Sequence, residues 1–307
     1  MRVRTMKDVE DTTGHGVLGV IPDSKEFAKQ REGGRISLAT LGTTGEALRQ
    51  LRTNLRFVDV DNPPRSIVVS SSNPGEGKST ISSVLSVLMA RSGQPVVLID
   101  ADLRKPVQHK TFNADNAVGL SQVLVGDVAV EDALQPTNEP NLYVLTSGRV
   151  PSNPSEMVGS KRMRALIEKL SENYFVITDA PPILAVTDAP LLAASTDGVV
   201  LVTRVGVTRK EQLNLAVKLV KQVGGTVLGT VMHRARAKAM GETVYGAGYG
   251  GSYQSYYGEG YLAAKDDEKA PVSADNVDLT VVRGPDTSLT PVTPESAEVK
   301  SAKRRLW

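Results

Sequence analysis

Lys78, Ser79 and Thr80 close the stretch Ser72-Asn73-Pro74-Gly75-Glu76-Gly77, which follows the apolar run Ile67-Val68-Val69. A lysine and a hydroxyl at the end of a glycine-bearing turn are groups suited to handling phosphate. The small loop residues let backbone N–H groups turn inward, and a helix beginning there adds partial positive charge. Lys78 can reach the β/γ-phosphates and the Ser79 hydroxyl can ligate Mg²⁺, while Gly75, Glu76, Gly77 and Thr80 complete the cradle. Ile81, Val84, Leu85 and Leu88 share one helical face just downstream, so strand, loop and helix come in the required order. Ser72 stands where the usual spacing has glycine, and Pro-Gly alone would suit an ordinary turn. Gly-Lys-Ser-Thr between a strand and a helix points instead to a bound nucleoside triphosphate.

Two further strand ends carry acids. Val96-Val97-Leu98-Ile99 runs into Asp100-Ala101-Asp102-Leu103-Arg104. Of two carboxylates so placed, one can help hold Mg²⁺ and the other can accept a hydroxyl proton. The simpler reading is a helix cap with a surface ion pair to Arg104 or Lys105, and the phosphate loop tips the balance toward chemistry. Phe175-Val176-Ile177-Thr178-Asp179 ends likewise, as does a strand whose Asp supports Mg²⁺.

The elements that must position these groups alternate. Strands are expected at 67–70, 96–100, 142–146, 175–179, 199–203 and 227–231, with helices between them at 162–170 and 210–223 and one before them at 44–57. Continuous Val/Ile/Leu runs fit strands covered on both faces. The expected fold is α/β: a P-loop NTPase with a doubly wound, mostly parallel sheet, helices on both faces and its ligand at the strands' carboxyl ends. Residues 1–43 are expected to form a polar, irregular arm around Val17-Leu18-Gly19-Val20-Ile21-Pro22, and 44–236 the catalytic domain. Residues 237–261 form a Gly/Tyr-rich tail and 262–307 a disordered extension.

Bulk properties narrow the function. Of 307 residues, 40% are hydrophobic and 4% aromatic, which allows a large aliphatic core. A net charge of +2 gives no global basic field for nucleic acid. The absence of cysteine excludes a disulfide framework and any cysteine-ligated metal. No apolar run approaches the ~18 residues of a membrane-spanning helix, so the expected location is the cytoplasm.

With these motifs in order, the chain resembles the bacterial tyrosine kinases (BY-kinases), the autokinase domains of polysaccharide co-polymerase and exopolysaccharide-synthesis proteins. The matching pieces are Pro74-Gly75-Glu76-Gly77-Lys78-Ser79 (Walker A), Asp100-Ala101-Asp102-Leu103-Arg104 (a second Walker-type motif) and Asp179-Ala180-Pro181-Pro182 (Walker B). Gly148–Glu156 and Val186-Thr187-Asp188-Ala189 match as well. The resemblance implies ATP and Mg²⁺ as cofactors, with Ser79, Asp102 and Asp179 managing the metal. Asp100 is the implied base, although the division of labour between Asp100 and Asp102 stays open. Glu46, Arg49 and Arg52 match the family's ring-forming Glu-x-x-Arg-x-x-Arg helix. The family's last strand commonly ends in an adenine-reading Asn, and His233 occupies that place here; an imidazole can still donate or accept a hydrogen bond.

The resemblance further implies a ring of like subunits, a transmembrane chain-length regulator or activator (fused or separate), protein tyrosine substrates and a cognate phosphatase. It places the chain at the inner face of the plasma membrane through that partner. Six of the eight tyrosines, Tyr245, Tyr249, Tyr253, Tyr256, Tyr257 and Tyr261, cluster among glycines. Glycine keeps such a segment pliable, and the cluster matches the family's phosphoacceptor tail. The expected function is ATP-dependent autophosphorylation of that tail in trans, tied to capsule or exopolysaccharide synthesis or export. The alternatives are a partitioning-type ATPase switch without kinase activity and a non-catalytic ATP-binding adaptor.

Overall fold

A computed structural model describes residues 1–24 and 42–236, together with positions 241 and 243. The tyrosine tail and the extension after it lie outside the described residues. The chain divides into two units, Met1–Leu262 and Ala263–Trp307, and all described residues belong to the first.

Eight strands form one sheet in the order β1-β8-β7-β2-β6-β3-β5-β4. They are β1 (Val17–Pro22), β2 (Ser66–Ser71), β3 (Val96–Asp100), β4 (Gln135–Pro136), β5 (Leu142–Leu145), β6 (Phe175–Asp179), β7 (Gly198–Arg204) and β8 (Val227–Ala235). Every pairing is parallel except the short β4–β5 edge. The two central strands β2 and β6 pair in register Val69 to Asp179, and β3 joins β6 with Asp100 opposite Asp179. The phosphate loop and both acidic strand ends therefore meet at one edge of the sheet.

Alternation within the strands divides the core. Ile67 and Val69 pack with Leu48, Leu51, Leu55, Ile81 and Leu85 on one face. Val68 packs on the other, in a cluster that includes Met163, Leu166, Ile167, Leu213 and Val217. Side chains of a strand point to opposite faces in turn, so a strand buried on both sides must be apolar throughout. The helix Lys78–Arg91 is buried around its whole circumference from Thr80 to Ala90, more than its one-sided apolar pattern suggested. Ser82, Ser83 and Ser86 are tolerated there because each hydroxyl bonds the carbonyl four residues back.

The amino-terminal segment departs from expectation. Residues 1–24 are not irregular: Met6–Thr13 form a helix and Val17–Pro22 an edge strand of the main sheet. Thr5 and Asp8 close a reciprocal capping box, and the helix stops at Gly14 with φ 70°. The strand pairs with β8, more than two hundred positions away, so no local pattern announces it. Its Gly19 meets the helix Gly42–Arg56 closely; a Cβ there would lie 3.1 Å from the Leu51 Cβ.

Candidate functional site

A cleft of about 770 Å³ opens at the carboxyl ends of the central strands. Its floor is Pro74, Gly75, Gly77, Lys78, Ser79 and Thr80. The loop turns through left-handed conformations at Gly75 (φ 78°) and Gly77 (φ 107°). At Gly77 a Cβ would sit 2.0 Å from the His233 Nδ1, so glycine is required by space as well as by φ. One wall carries Asp102, Arg104, Lys105 and Lys110. The facing surfaces carry Pro181, Pro182, Ala185 and Val186, and His233 also lines the cleft.

Lys78 is the hub. Its Nζ donates to Asp102 Oδ2 at 2.8 Å and to Ser79 Oγ at 3.1 Å, and lies 3.7 Å from Asp179 Oδ1. Burial works against its charge, but Asp179 and Asp102 outweigh that penalty and hold its pKa above the ordinary lysine value. The lysine stays cationic, held by carboxylates until a stronger anion draws it away.

The three aspartates sit at different depths. Asp102 lines the cleft, its second oxygen accepting from the Lys105 N–H at 3.0 Å. Asp179 is fully buried and accepts from Gln108 Nε2 at 2.7 Å and Ser82 Oγ at 3.2 Å. Asp100 is also fully buried. Its Oδ2 takes the N–H groups of Val107 and Gln108 at 2.9 and 2.8 Å, while its Oδ1 has no partner. Burial, then the nearby Asp179, pushes its pKa up to about 7. That value suits a base, but the side chain is turned beneath the loop and does not line the cleft. Of Asp100 and Asp102, Asp102 is the one that lines the cleft.

Glu76 and His233 meet at the loop. The Glu76 carboxylate is 2% exposed and faces away from the cleft, accepting from Thr208 Oγ at 2.6 Å and from the Asn73 N–H at 3.0 Å. Only its backbone can serve a phosphate. His233 Nδ1 lies 3.1 Å from the Glu76 carbonyl oxygen. Burial lowers its pKa to about 4, so at neutral pH the ring is uncharged, with Nδ1–H donating and Nε2 left as an acceptor.

Two participants, Gln108 and Thr208, carried no sequence signal. Gln108 is fully buried and ties Asp179, Ser83 and the Ser79 carbonyl together. Arg104 bonds Asp188 at 3.1 Å and Ser155 at 2.9 Å, and Ser155 in turn donates to Asp188. These contacts join the second acidic motif to the two flanking stretches. Thr208, distant in sequence, reaches the phosphate loop. Glu46 and Arg49 form an exposed ion pair at 2.6 Å on the helix Gly42–Arg56, with Arg52 half-buried on the same helix. The six clustered tyrosines lie outside the described residues.

The arrangement fits a nucleotide with its cation. Two aspartates, Asp102 and Asp179, face a single lysine, leaving negative charge for a divalent ion to balance. Among the described residues no group of three or more His, Cys, Asp or Glu side chains is arranged to hold a metal alone. Mg²⁺ is commonly held by one or two carboxylates together with substrate phosphates, and Asp102 and Ser79 provide for that.

Comparison with known proteins agrees with this geometry. Residues 46–227 match a family model described as an AAA domain. The chain is 43% identical over 201 residues to the tyrosine-protein kinase YwqD of Bacillus subtilis, covering 65% of this chain and 85% of YwqD. It is 35% identical over 189 residues to the Escherichia coli tyrosine-protein kinase Etk, covering 61% of this chain but only 26% of Etk. The solved kinase domain of Etk superimposes with a TM-score of 0.69 at 32% identity, covering 76% of this chain and 94% of that one. A chimerical protein, CapA2B2, superimposes with a TM-score of 0.68 at 36% identity, covering 76% of this chain and all of that one.

Proposed function

The chain belongs to the bacterial tyrosine kinases, and from that membership we propose that it transfers the γ-phosphoryl group of Mg·ATP to its own carboxyl-terminal tyrosines in trans. It is a protein-tyrosine kinase with a P-loop fold. The observation that carries the finer reading is the Lys78–Asp102 pair at 2.8 Å on the wall of the phosphate cleft.

Phosphate oxygens compete with Asp102 for Lys78. As the lysine moves onto them it stabilises charge on the transferring group, and it leaves Asp102 free. A tyrosine hydroxyl has a pKa near ~10, so a positioned carboxylate must take its proton as the new bond forms; Asp102 is placed to do so. The phenol oxygen gains the phosphorus, the bond to the ADP oxygen breaks, and the proton passes to the carboxylate. Bound Mg²⁺, held at Ser79 with Asp179 behind, would neutralise phosphate charge. The apolar surface at Pro181, Pro182, Ala185 and Val186 suits an aromatic ring, and Arg104, Lys105 and Lys110 suit acidic flanking groups. His233 would take the place of an adenine-reading amide.

The six tyrosines from Tyr245 to Tyr261 are the proposed acceptors. Glu46, Arg49 and Arg52 are proposed to join subunits into a ring, and a membrane activator to bring the assembly to the inner face of the membrane. No helix among the described residues is long and apolar enough to cross a membrane. The proposed role is control of capsule or exopolysaccharide synthesis or export, with a phosphatase resetting the tail.

Incubating the full chain with labelled ATP, Mg²⁺ and its activator tests this. Label on Tyr245–Tyr261 by mass spectrometry is expected. Release of free phosphate with every tyrosine unmodified would overturn it.

A further inference from the structure

The phosphate loop is held from behind by a buried carboxylate whose own support comes from the chain's amino-terminal residues. Glu76 Oε1 accepts from the Thr208 hydroxyl at 2.6 Å and from Asn73 Nδ2 at 3.2 Å; Oε2 accepts from the Asn73 N–H at 3.0 Å. The Thr208 hydroxyl is itself fixed by the Arg204 N–H at 2.9 Å. Gln212 Nε2 adds a bond to Asn73 Oδ1 at 3.3 Å. Glu76 and Thr208 are 2% and 1% exposed.

Residues 1–3 clasp the loop that carries Thr208. The Val3 N–H donates to the Thr208 carbonyl at 2.9 Å, the Gly206 N–H to the Val3 carbonyl at 2.8 Å, and the Lys210 N–H to the Met1 carbonyl at 2.8 Å. Arg2 pairs antiparallel with Arg209 and donates from Nη1 to the Gly206 carbonyl at 3.0 Å. Val3 is fully buried and anchors the clasp in the core.

A carboxylate in a phosphate-binding loop is a hazard, since like charge opposes the ligand. It is harmless only while turned inward, and a buried carboxylate stays inward only while its hydrogen bonds are met. We propose that Glu76 and Thr208 are positioning residues that keep the phosphate loop open to anions, and that the amino-terminal clasp sets them from outside the cleft. Loosening the clasp frees Thr208, Glu76 turns toward solvent, and the loop closes itself to phosphate by its own charge. The nucleotide part of this rests on the proposed function; the loop-bracing part does not.

The test uses the full chain with Thr208→Val, Thr208→Ser, Val3→Ala and the Val3→Ala/Thr208→Val pair. Hydrogen exchange without nucleotide should quicken at the phosphate-loop amides in Thr208→Val and stay near wild type in Thr208→Ser. Fluorescent ADP with Mg²⁺ should bind about tenfold more weakly to Thr208→Val, as expected when a buried charged acceptor loses its donor. Val3→Ala should weaken binding about threefold in the wild-type background and add nothing to Thr208→Val, because both act through one contact. Unchanged exchange and affinity in Thr208→Val, or full additivity with Val3→Ala, would overturn the inference. A wild-type chain that binds ADP but labels no tyrosine overturns the kinase reading and leaves this one standing.

Discussion

The acids around the cleft form two layers, and the contrast between them separates chemistry from architecture. Asp102, itself 4% exposed, lines the cleft with Lys78, Arg104, Lys105 and Lys110, and its Oδ2 is paired with Lys78. Asp100, Asp179 and Glu76 lie beneath, each at or below 2% exposure and engaged by Val107, Gln108, Ser82, Asn73 or Thr208. Both layers carry carboxylates. The partners set the two layers apart: Lys78, which holds Asp102, itself lines the cleft, whereas Gln108, Ser82, Asn73 and Thr208, which hold the deeper acids, do not.

Variants can break this division. Lys78→Met should have the largest effect, cutting phosphoryl transfer at least about 10³-fold by removing the one cation at the loop's floor. Labelled ATP measures it, with circular dichroism checking that the unpaired aspartates have not unfolded the chain. Asp102→Asn should lower kcat about 10²- to 10³-fold, whereas Asp100→Asn should lower it less than about tenfold. Equal losses at the two positions in single-turnover assays would erase the distinction between layers.

Gly77→Ala tests the seam between floor and wall. Its methyl would strike His233 and its φ would be strained, so denaturant unfolding should show a loss of about 2–4 kcal/mol. His233 gives a pH signature. Its pKa falls from 6.5 to about 4 on folding, so below the unfolded value the unfolded state binds the extra proton. Stability is complete above about pH 6.5 and is lost as pH falls toward 4, by up to about 3 kcal/mol. His233→Asn should flatten that stretch of the stability curve, and a slope that persists would assign it to another group. The smallest effect belongs to the cationic rim. Lys105→Ala with Lys110→Ala should lower kcat/KM about two- to fivefold for peptides with acidic or phosphorylated neighbours, and leave neutral peptides unaffected.

Much of this fold was legible in the linear chain. The six apolar runs chosen as strands all appear, because a strand buried on both faces must be apolar along its length. The helices at 162–170 and 210–223 appear within a residue or so at each end. The edges were hidden. The strand Val17–Pro22 is short, contains glycine and ends in proline, and it becomes a strand only because β8 offers it a partner. The two-residue β4 has no pattern to detect.

For the site, motif order correctly drew Lys78, Ser79, Asp102 and Asp179 to one place, since parallel strands in register must bring their carboxyl ends together. It could not show that Asp100 is turned under by Val107 and Gln108, or that Glu76 faces backward. Nor could it find Gln108 and Thr208, whose roles depend on partners that folding brings alongside.

From the amino acids alone came the alternation of strands and helices, the glycine-bearing loop between a strand and a helix, and the set of groups able to meet phosphate. Those follow from forces acting over a few neighbouring residues. Which carboxylate lines the cleft, which turns back toward Thr208, and that residues 1–3 contact the loop carrying Thr208 were settled by packing. Burial is conferred by residues far apart in the chain, 132 positions for Thr208 and Glu76, and no local pattern records how deep a side chain will lie.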